Sequence, residues 1–174
     1  MEDHGEDQRE AALKQQHDEG RPLLRLAVYG TLRRGHVNHE RFCSGYLDAQ
    51  PVEIPGNLRW LSPTIPILEV PESLILAVGT EDPAADVATQ ACWAQRIERD
   101  GYLCGVEDFL ATRGHVGAVA GEVFVFDDPE VRIPGIDLLE GFRPGGSSLY
   151  RRVLMAVRME SGGVLPTWIY AAPV

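Results

Sequence analysis

The chain has 174 residues, of which 44% are hydrophobic and 24% are charged, the usual mixture for a domain that buries its own core. This composition excludes a wholly disordered chain and a collagen-like repeat, and no apolar run is long enough for a membrane-spanning helix. The net charge is -10, from 26 acidic and 16 basic residues without a basic stripe, which argues against binding of duplex nucleic acid.

The first twenty residues differ from the rest of the chain. They carry seven acidic and two basic side chains, and Leu13 is their one large apolar residue. Such a segment cannot offset its ordering entropy by burial, so we predict a mobile acidic tail at 1–20 and one domain over 21–174. No apolar segment follows a basic start, so we expect no secretory signal and a cytoplasmic protein.

The first half of the domain is predicted to contain strands followed by a helical insertion. Leu23–Tyr29 is a short apolar run ended by Gly30, which is typical of a buried strand. The five prolines of residues 41–80 predict short or edge strands, such as Leu74–Val78. Asp82 and the proline after it predict a helix start. A helical insertion near 82–113 then contains two predicted helices, Ala84–Arg99 and Val106–Thr112.

The second half returns to β-structure. Glu122–Phe126 alternates and is rich in aromatic residues, and Tyr150–Arg158 and Thr167–Ala171 are further strand candidates. The turn Ser161-Gly162-Gly163 joins the last two as a predicted hairpin. Together these elements predict one α+β domain with a β-rich core.

The chain shows no metal-ligand or disulfide pattern. Its three cysteines, Cys43, Cys92 and Cys104, lack the spacing of a zinc site and are expected to be reduced thiols. His36 and His39 are spaced as H-x-x-H, but no third ligand is suitably spaced, so we interpret them as polar side chains exposed beside the loop. We expect no metal.

The segment from Val28 to Gly35 is the first candidate site. A predicted strand ends at Tyr29, and Gly30 permits the backbone to turn and approach a ligand closely. Exposed N–H groups after such a turn, with the Thr31 hydroxyl, form donors suited to a carboxylate or phosphate. The segment lacks the lysine of a P-loop, and by itself an ordinary strand-to-loop turn is the more common interpretation.

The second candidate segment is acidic and precedes a glycine. Gly141 predicts a helix end, which places Glu140 at the last helical position, where the helix dipole disfavours a carboxylate. A locally unfavourable residue is a functional candidate, although a solvated glutamate at a helix end is the commoner case. We expect Leu138 and Leu139 to face the core, and Pro134 to mark the start of this helix.

Taken together, three motifs resemble the γ-glutamylcyclotransferase-like family, which includes γ-glutamylamine cyclotransferases and the plant AIG2-like proteins. They are YGTLRRG at 29–35, D-x-L-E-G-F at 137–142 and Y-R-R at 150–152. The resemblance covers nearly all of residues 23–172. It implies a small mixed α+β domain built on a β-barrel, in which Glu140 matches the catalytic glutamate. The substrate-binding residues that it implies are Tyr29, Gly30, Thr31, Leu32 and Tyr150.

These residue types suit the implied reaction. In a γ-glutamyl amide, the α-amine attacks the γ-carbonyl, and a carboxylate such as Glu140 can take the proton and return it to the leaving amine. The products are 5-oxoproline and a free amine, and no cofactor is needed. We expect Glu122 to be structural and Asp137 to orient rather than react.

Two alternatives remain open. One is a non-catalytic module that binds a small metabolite, and the other is deacylation of a γ-glutamyl group from a carrier. In either case the expected partner is a small molecule. We expect specificity to reside in residues 57–80 and 82–115, where no motif was found.

Overall fold

The computed structural model describes residues 23–63, 65–100 and 116–174. Within these ranges the chain forms eight strands, three α-helices, and short 3-10 turns at Gly30–Leu32 and Glu72–Leu74. The helices are α1 (His39–Phe42), α2 (Pro83–Asp100) and α3 (Pro129–Glu140). The strands are β1 (Leu24–Val28), β2 (Asp48–Pro55), β3 (Asn57–Ser62), β4 (Ile65–Val70), β5 (Ala77–Val78), β6 (Ala118–Phe126), β7 (Arg151–Met159) and β8 (Val164–Pro173).

Five of the strands close into a barrel. Their order is β8-β1-β6-β2-β7, and the long antiparallel hairpin of β7 and β8 closes the ring. β4 extends the sheet from β8 and carries β3, while the short β5 pairs with β7. The prediction of a small mixed α+β barrel is therefore confirmed. No helix in the described part of the chain is long and apolar enough to cross a bilayer.

Because side chains alternate between the two faces of each strand, the core consists of two clusters of buried residues. On β1, Ala27 belongs to a cluster that draws mainly on strand residues, while Leu26 belongs to a second cluster that includes helical residues. β6 alternates in the same way, with Val123 in the first cluster and Phe124 in the second. The first cluster fills the barrel, and the second binds α2 and α3 to its outer face. This second contact determines where the end of α3 lies.

Most of the strand predictions are confirmed, but one is wrong in part. The segment Leu74–Val78 forms a strand only at Ala77–Val78, because the residues before it make a 3-10 turn. The start of α2 is confirmed, since Asp82 Oδ1 accepts hydrogen bonds from the N–H groups of Ala84 and Ala85. The predicted tail at 1–20 and the predicted helix at 106–112 lie outside the described residues.

Helix α3 corrects two predictions. It begins at Pro129, so Pro134 lies inside the helix rather than at its start. The carbonyl that Pro134 leaves without a donor belongs to the exposed Glu130, where solvent can replace the missing bond. Leu138 and Leu139 do not face the core, being 84% and 36% exposed. The helical period instead buries Ile133 and Ile136, and it brings Glu140, seven residues after Ile133, to the same side.

Candidate functional site

A cavity of about 330 Å³ opens between the turn after β1, the beginning of β4 and the end of α3. Five of the six residues singled out in the sequence line it: Tyr29, Thr31, Leu32, Glu140 and Tyr150. The sixth, Gly30, is not part of the lining but shapes the turn that carries two of them. Residues more than one hundred positions apart thus share one cavity.

Glu140 is a partly buried acid that has no counter-ion among the described residues. It is the last residue of α3, and Gly141 ends the helix in the left-handed conformation with φ 67°. The Phe142 N–H closes this end by donating to the Asp137 carbonyl at 2.9 Å. Within the described residues the Glu140 carboxylate makes no hydrogen bond or ion pair, and burial raises its pKa to about 7. Glu140 therefore exchanges its proton near neutral pH.

The Gly30–Leu32 turn borders the same cavity through Thr31 and Leu32 and carries hydrogen-bond donors that are unpaired within the turn. The first N–H groups of a helical turn have no partner inside it, which applies to Gly30 and Thr31. Asn38 Nδ2 donates to Thr31 Oγ1 at 3.0 Å, and the Asn38 N–H donates to the Thr31 carbonyl at 3.1 Å. Because its oxygen already accepts from Asn38, the Thr31 hydroxyl is free to donate its own proton. The turn is thus suited to bind a carboxylate.

The tyrosines of the cavity hold its walls together. The Tyr29 hydroxyl donates to the Tyr170 carbonyl at 2.8 Å and accepts from the Leu68 N–H at 3.3 Å. The Tyr150 hydroxyl donates to the Pro66 carbonyl at 2.9 Å. Burial raises the pKa of both Tyr29 and Tyr150, so both remain protonated at neutral pH. Their protons are committed to β4 and β8, and they shape the cavity rather than supply free donors.

A buried charge cluster fixes the last turn of α3. The fully buried Arg152 on β7 binds Asp137, with Nε 2.9 Å from Oδ1, and binds Asp86 of α2 through Nη1. The Tyr170 hydroxyl also donates to Asp137 Oδ1, at 2.6 Å. Asp137 lies three residues before Glu140, so these bonds set the position of Glu140 relative to the barrel. Asp137 thus makes orienting contacts, as the sequence interpretation expected.

A second ion pair holds the loop after β1. Glu122 of β6 accepts from the Arg34 N–H at 2.8 Å and from Arg34 Nε at 2.6 Å. Burial alone would raise the pKa of Glu122, but the hydrogen bonds from Arg34 and the charge of Arg33 lower it overall. Glu122 thus binds the segment that follows the Gly30–Leu32 turn to the barrel.

The interpretation of His39 as an exposed polar side chain is wrong. His39 is 6% exposed, its Nδ1 lies 3.0 Å from the Leu32 carbonyl, and its ring packs against Tyr46 and Phe124. The helix α1 buries this side chain because it packs back against the barrel. Among the described residues, no group of three or more His, Cys, Asp or Glu side chains is arranged to hold a metal ion.

Two polar residues of the cavity lining, Asn38 and Tyr170, were not predicted as site residues from the sequence. Asn38 lies shortly after the loop motif, but its role depends on a hydrogen bond to Thr31 that no local sequence pattern predicts. Tyr170 lies on a strand whose alternation predicts burial, yet the sequence does not indicate that its hydroxyl reaches Asp137. Both depend on contacts between distant elements.

Replacing Gly30 with alanine should damage the turn in two ways. The residue has φ +73°, which costs an L-residue about 1–2 kcal/mol, and a Cβ would lie 3.1 Å from Pro66 Cγ in the cavity wall. Gly35→Ala is a matched control, because Gly35 has φ +79° with no atom within 4 Å of the added Cβ. In urea unfolding, we expect both variants to lose stability and Gly30→Ala to lose more. Equal losses would contradict the contact with Pro66.

Because the pKa of Glu140 is raised, replacing this residue should increase the stability of the protein by an amount that depends on pH. The folded protein holds a proton that the unfolded chain releases between pH 4.5 and about 7, so stability from protonated Glu140 is present below pH 4.5 and lost as the pH rises through 7. Glu140→Gln should therefore be more stable than the parent by about 2–3 kcal/mol at pH 8, and not at pH 4. Urea unfolding at both pH values measures this difference. An equal difference in stability at pH 4 and at pH 8 would show that Glu140 is solvated in the folded state.

Comparison with protein-family models, curated proteins and solved structures gives no match for this chain. The case for a function therefore rests on the cavity and on the motifs that line it.

Proposed function

We propose that this protein is a cofactor-independent γ-glutamyl cyclotransferase that converts a γ-glutamyl amide into 5-oxoproline and a free amine. One observation carries the proposal: the partly buried carboxyl of Glu140, which has no partner among the described residues, shares a cavity with Thr31 and Leu32 of the Gly30–Leu32 turn. The resemblance of the lining motifs to the γ-glutamylcyclotransferase-like family supports the same reaction. The unpaired Cys43 and Cys92 fit a cytoplasmic site of action.

The α-carboxylate of the substrate would bind to the Gly30–Leu32 turn. No lysine or arginine lines the cavity within the described residues, so neutral donors must hold this group. The N–H groups of Gly30 and Thr31 and the Thr31 hydroxyl are such donors. With the carboxylate bound there, the α-amine and the γ-carbonyl of the same glutamyl group are held together, which lowers the entropic part of the barrier.

Glu140 would then move the proton. Its carboxylate takes one proton from the α-ammonium, and the freed amine attacks the γ-carbonyl carbon to form the ring C–N bond. As the tetrahedral intermediate collapses, the original amide C–N bond breaks and the leaving nitrogen receives the proton from Glu140. An acid whose pKa lies near 7 suits both halves of this transfer at neutral pH.

The charge of the cavity favours this reaction over simple binding of an anionic metabolite. A module that only captured carboxylates would gain nothing from a second, unpaired carboxylate in its site, because like charges repel and burial of Glu140 is costly. A substrate with an ammonium group beside its carboxylate instead complements both ends of the cavity. The γ-glutamyl group has this arrangement.

A panel of γ-glutamyl amines, γ-glutamyl dipeptides and glutathione tests the proposal. We expect 5-oxoproline and the free amine to appear in equal amounts from at least one compound. Release of glutamate instead would indicate hydrolytic deacylation, and ligand binding without turnover of any compound would indicate a binding module. Either result would overturn cyclotransfer.

A further inference from the structure

A second opening lies on the other side of the loop after β1. It is a groove of about 540 Å³, formed where β2, already paired along its length with β6, also pairs with β7 at Val52–Met159 and Glu53–Arg158. The side chain of Arg33 enters it from the loop, and Glu160 lies on the rim where β7 ends. We call this opening the Arg33 groove.

Arg33 brings an unsatisfied hydrogen-bond donor to this groove, and its charge acts on the neighbouring Glu122. Its Nε is buried and has no hydrogen-bond partner within the described residues. A buried donor without an acceptor is destabilising, and native structures rarely retain one unless water, an ion or a ligand supplies the acceptor. Arg33 lines the groove, and a guanidinium can bind a planar carboxylate through two parallel hydrogen bonds.

The other charges of the groove are already paired, with one exception. Glu122 is bound to Arg34, and Arg158 lies 3.3 Å from Glu53. This leaves Glu160, for which the described residues provide no hydrogen bond or ion pair. Among the described residues, the groove thus has one cation that forms no ion pair, Arg33, and one such anion, Glu160. A ligand that complements both carries one charge of each sign.

We propose that the Arg33 groove binds a zwitterionic amino acid, with its carboxylate on the Arg33 guanidinium and its ammonium group near Glu160. A phosphate dianion is disfavoured because three glutamates, Glu53, Glu122 and Glu160, line the same groove. Arg33 directly follows Leu32, so an occupied groove also steadies the turn at the Glu140 cavity. The binding itself does not require catalysis at Glu140.

Calorimetric titration of the full chain with glycine, L-leucine, N-acetyl-L-leucine and inorganic phosphate tests this site. We expect the free amino acids to bind, the N-acetyl compound to bind at least about tenfold more weakly, and phosphate not to compete. Arg33→Gln and Glu160→Gln should each weaken amino-acid binding at least about tenfold. Arg33→Lys, which keeps the charge but loses the planar fork, should fall between the parent and Arg33→Gln.

Two controls separate this groove from the Glu140 cavity and from a general charge effect. Arg59→Gln removes the same charge from a surface pair with Glu69 outside the groove, and Glu140→Gln alters the other cavity. Arg59→Gln should bind the amino acids like the parent, and Glu140→Gln should keep the binding that Arg33→Gln loses, even where the Glu140 cavity takes an amino acid of its own. Binding that survives in Arg33→Gln, that disappears in Glu140→Gln, that is equal for the N-acetyl compound, or that is absent from the parent would overturn the proposal. Since the Arg33 side chain makes no hydrogen bond or ion pair in the described residues and acts on Glu122 only through its charge, its Gln variant should remain folded, which its unfolding temperature checks.

Discussion

Glu140→Gln should reduce release of 5-oxoproline by at least about 10²–10³-fold in kcat, a much larger effect than its weakening of substrate binding. The amide has the shape of the acid but cannot take a proton from the α-ammonium. Glu140 makes no hydrogen bond within the described residues, so the substitution breaks no contact there and the fold should persist. Turnover and calorimetric binding of the same γ-glutamyl compound measure the two effects separately.

Glu130→Gln provides the matched control for this loss. Glu130 is exposed in the first turn of the same helix, so its substitution removes an identical charge without touching the cavity. We expect kcat of the control to remain within about twofold of the parent. Full activity in Glu140→Gln, or an equal loss in both variants, would remove Glu140 from the reaction.

Arg152→Met should cause the largest loss of stability, about 3–5 kcal/mol. The substitution leaves Asp86 and Asp137 buried without their cation, and an uncompensated buried charge is far more costly than the pair was favourable. Because Asp137 then loses its link to β7, the last turn of α3 should loosen and activity should fall even where the variant is folded. Urea unfolding and turnover below the unfolding transition measure the two effects.

Arg151, which precedes Arg152 in the chain, provides a matched control for this prediction. The Arg151 side chain is 48% exposed and lies 3.3 Å from the exposed Glu72, so it belongs to a surface pair. Arg151→Met should cost less than about 1 kcal/mol and leave turnover unchanged. Similar losses in both variants would mean that the buried cluster does not hold α3 in place.

Local sequence signals predicted the parts of the fold that depend on near neighbours. The cap at Asp82, the helix end at Gly141 and the alternation of Glu122–Phe126 each involve residues within a few positions, and the structure bears them out. The motifs at 29–35 and 137–142 also marked residues that share the cavity. Here the resemblance to a family supplied the long-range pairing that periodicity could not.

The remaining features depend on contacts between distant segments. Leu138 and Leu139 were expected in the core because they are apolar, but the direction of α3 is decided by Ile133 and Ile136 packing on the barrel. Arg152 reaches Asp86 across 66 positions, a pairing that no spacing rule predicts.

Titration of the Glu140 side-chain carboxyl by ¹³C NMR, with Glu140→Gln to assign the resonance, tests most directly whether this acid is poised as a proton carrier. The geometry predicts a pKa of about 7 in the free protein, caused by burial beside the Gly30–Leu32 turn. A resonance that titrates near pH 4.5, as in a solvated glutamate, would contradict it.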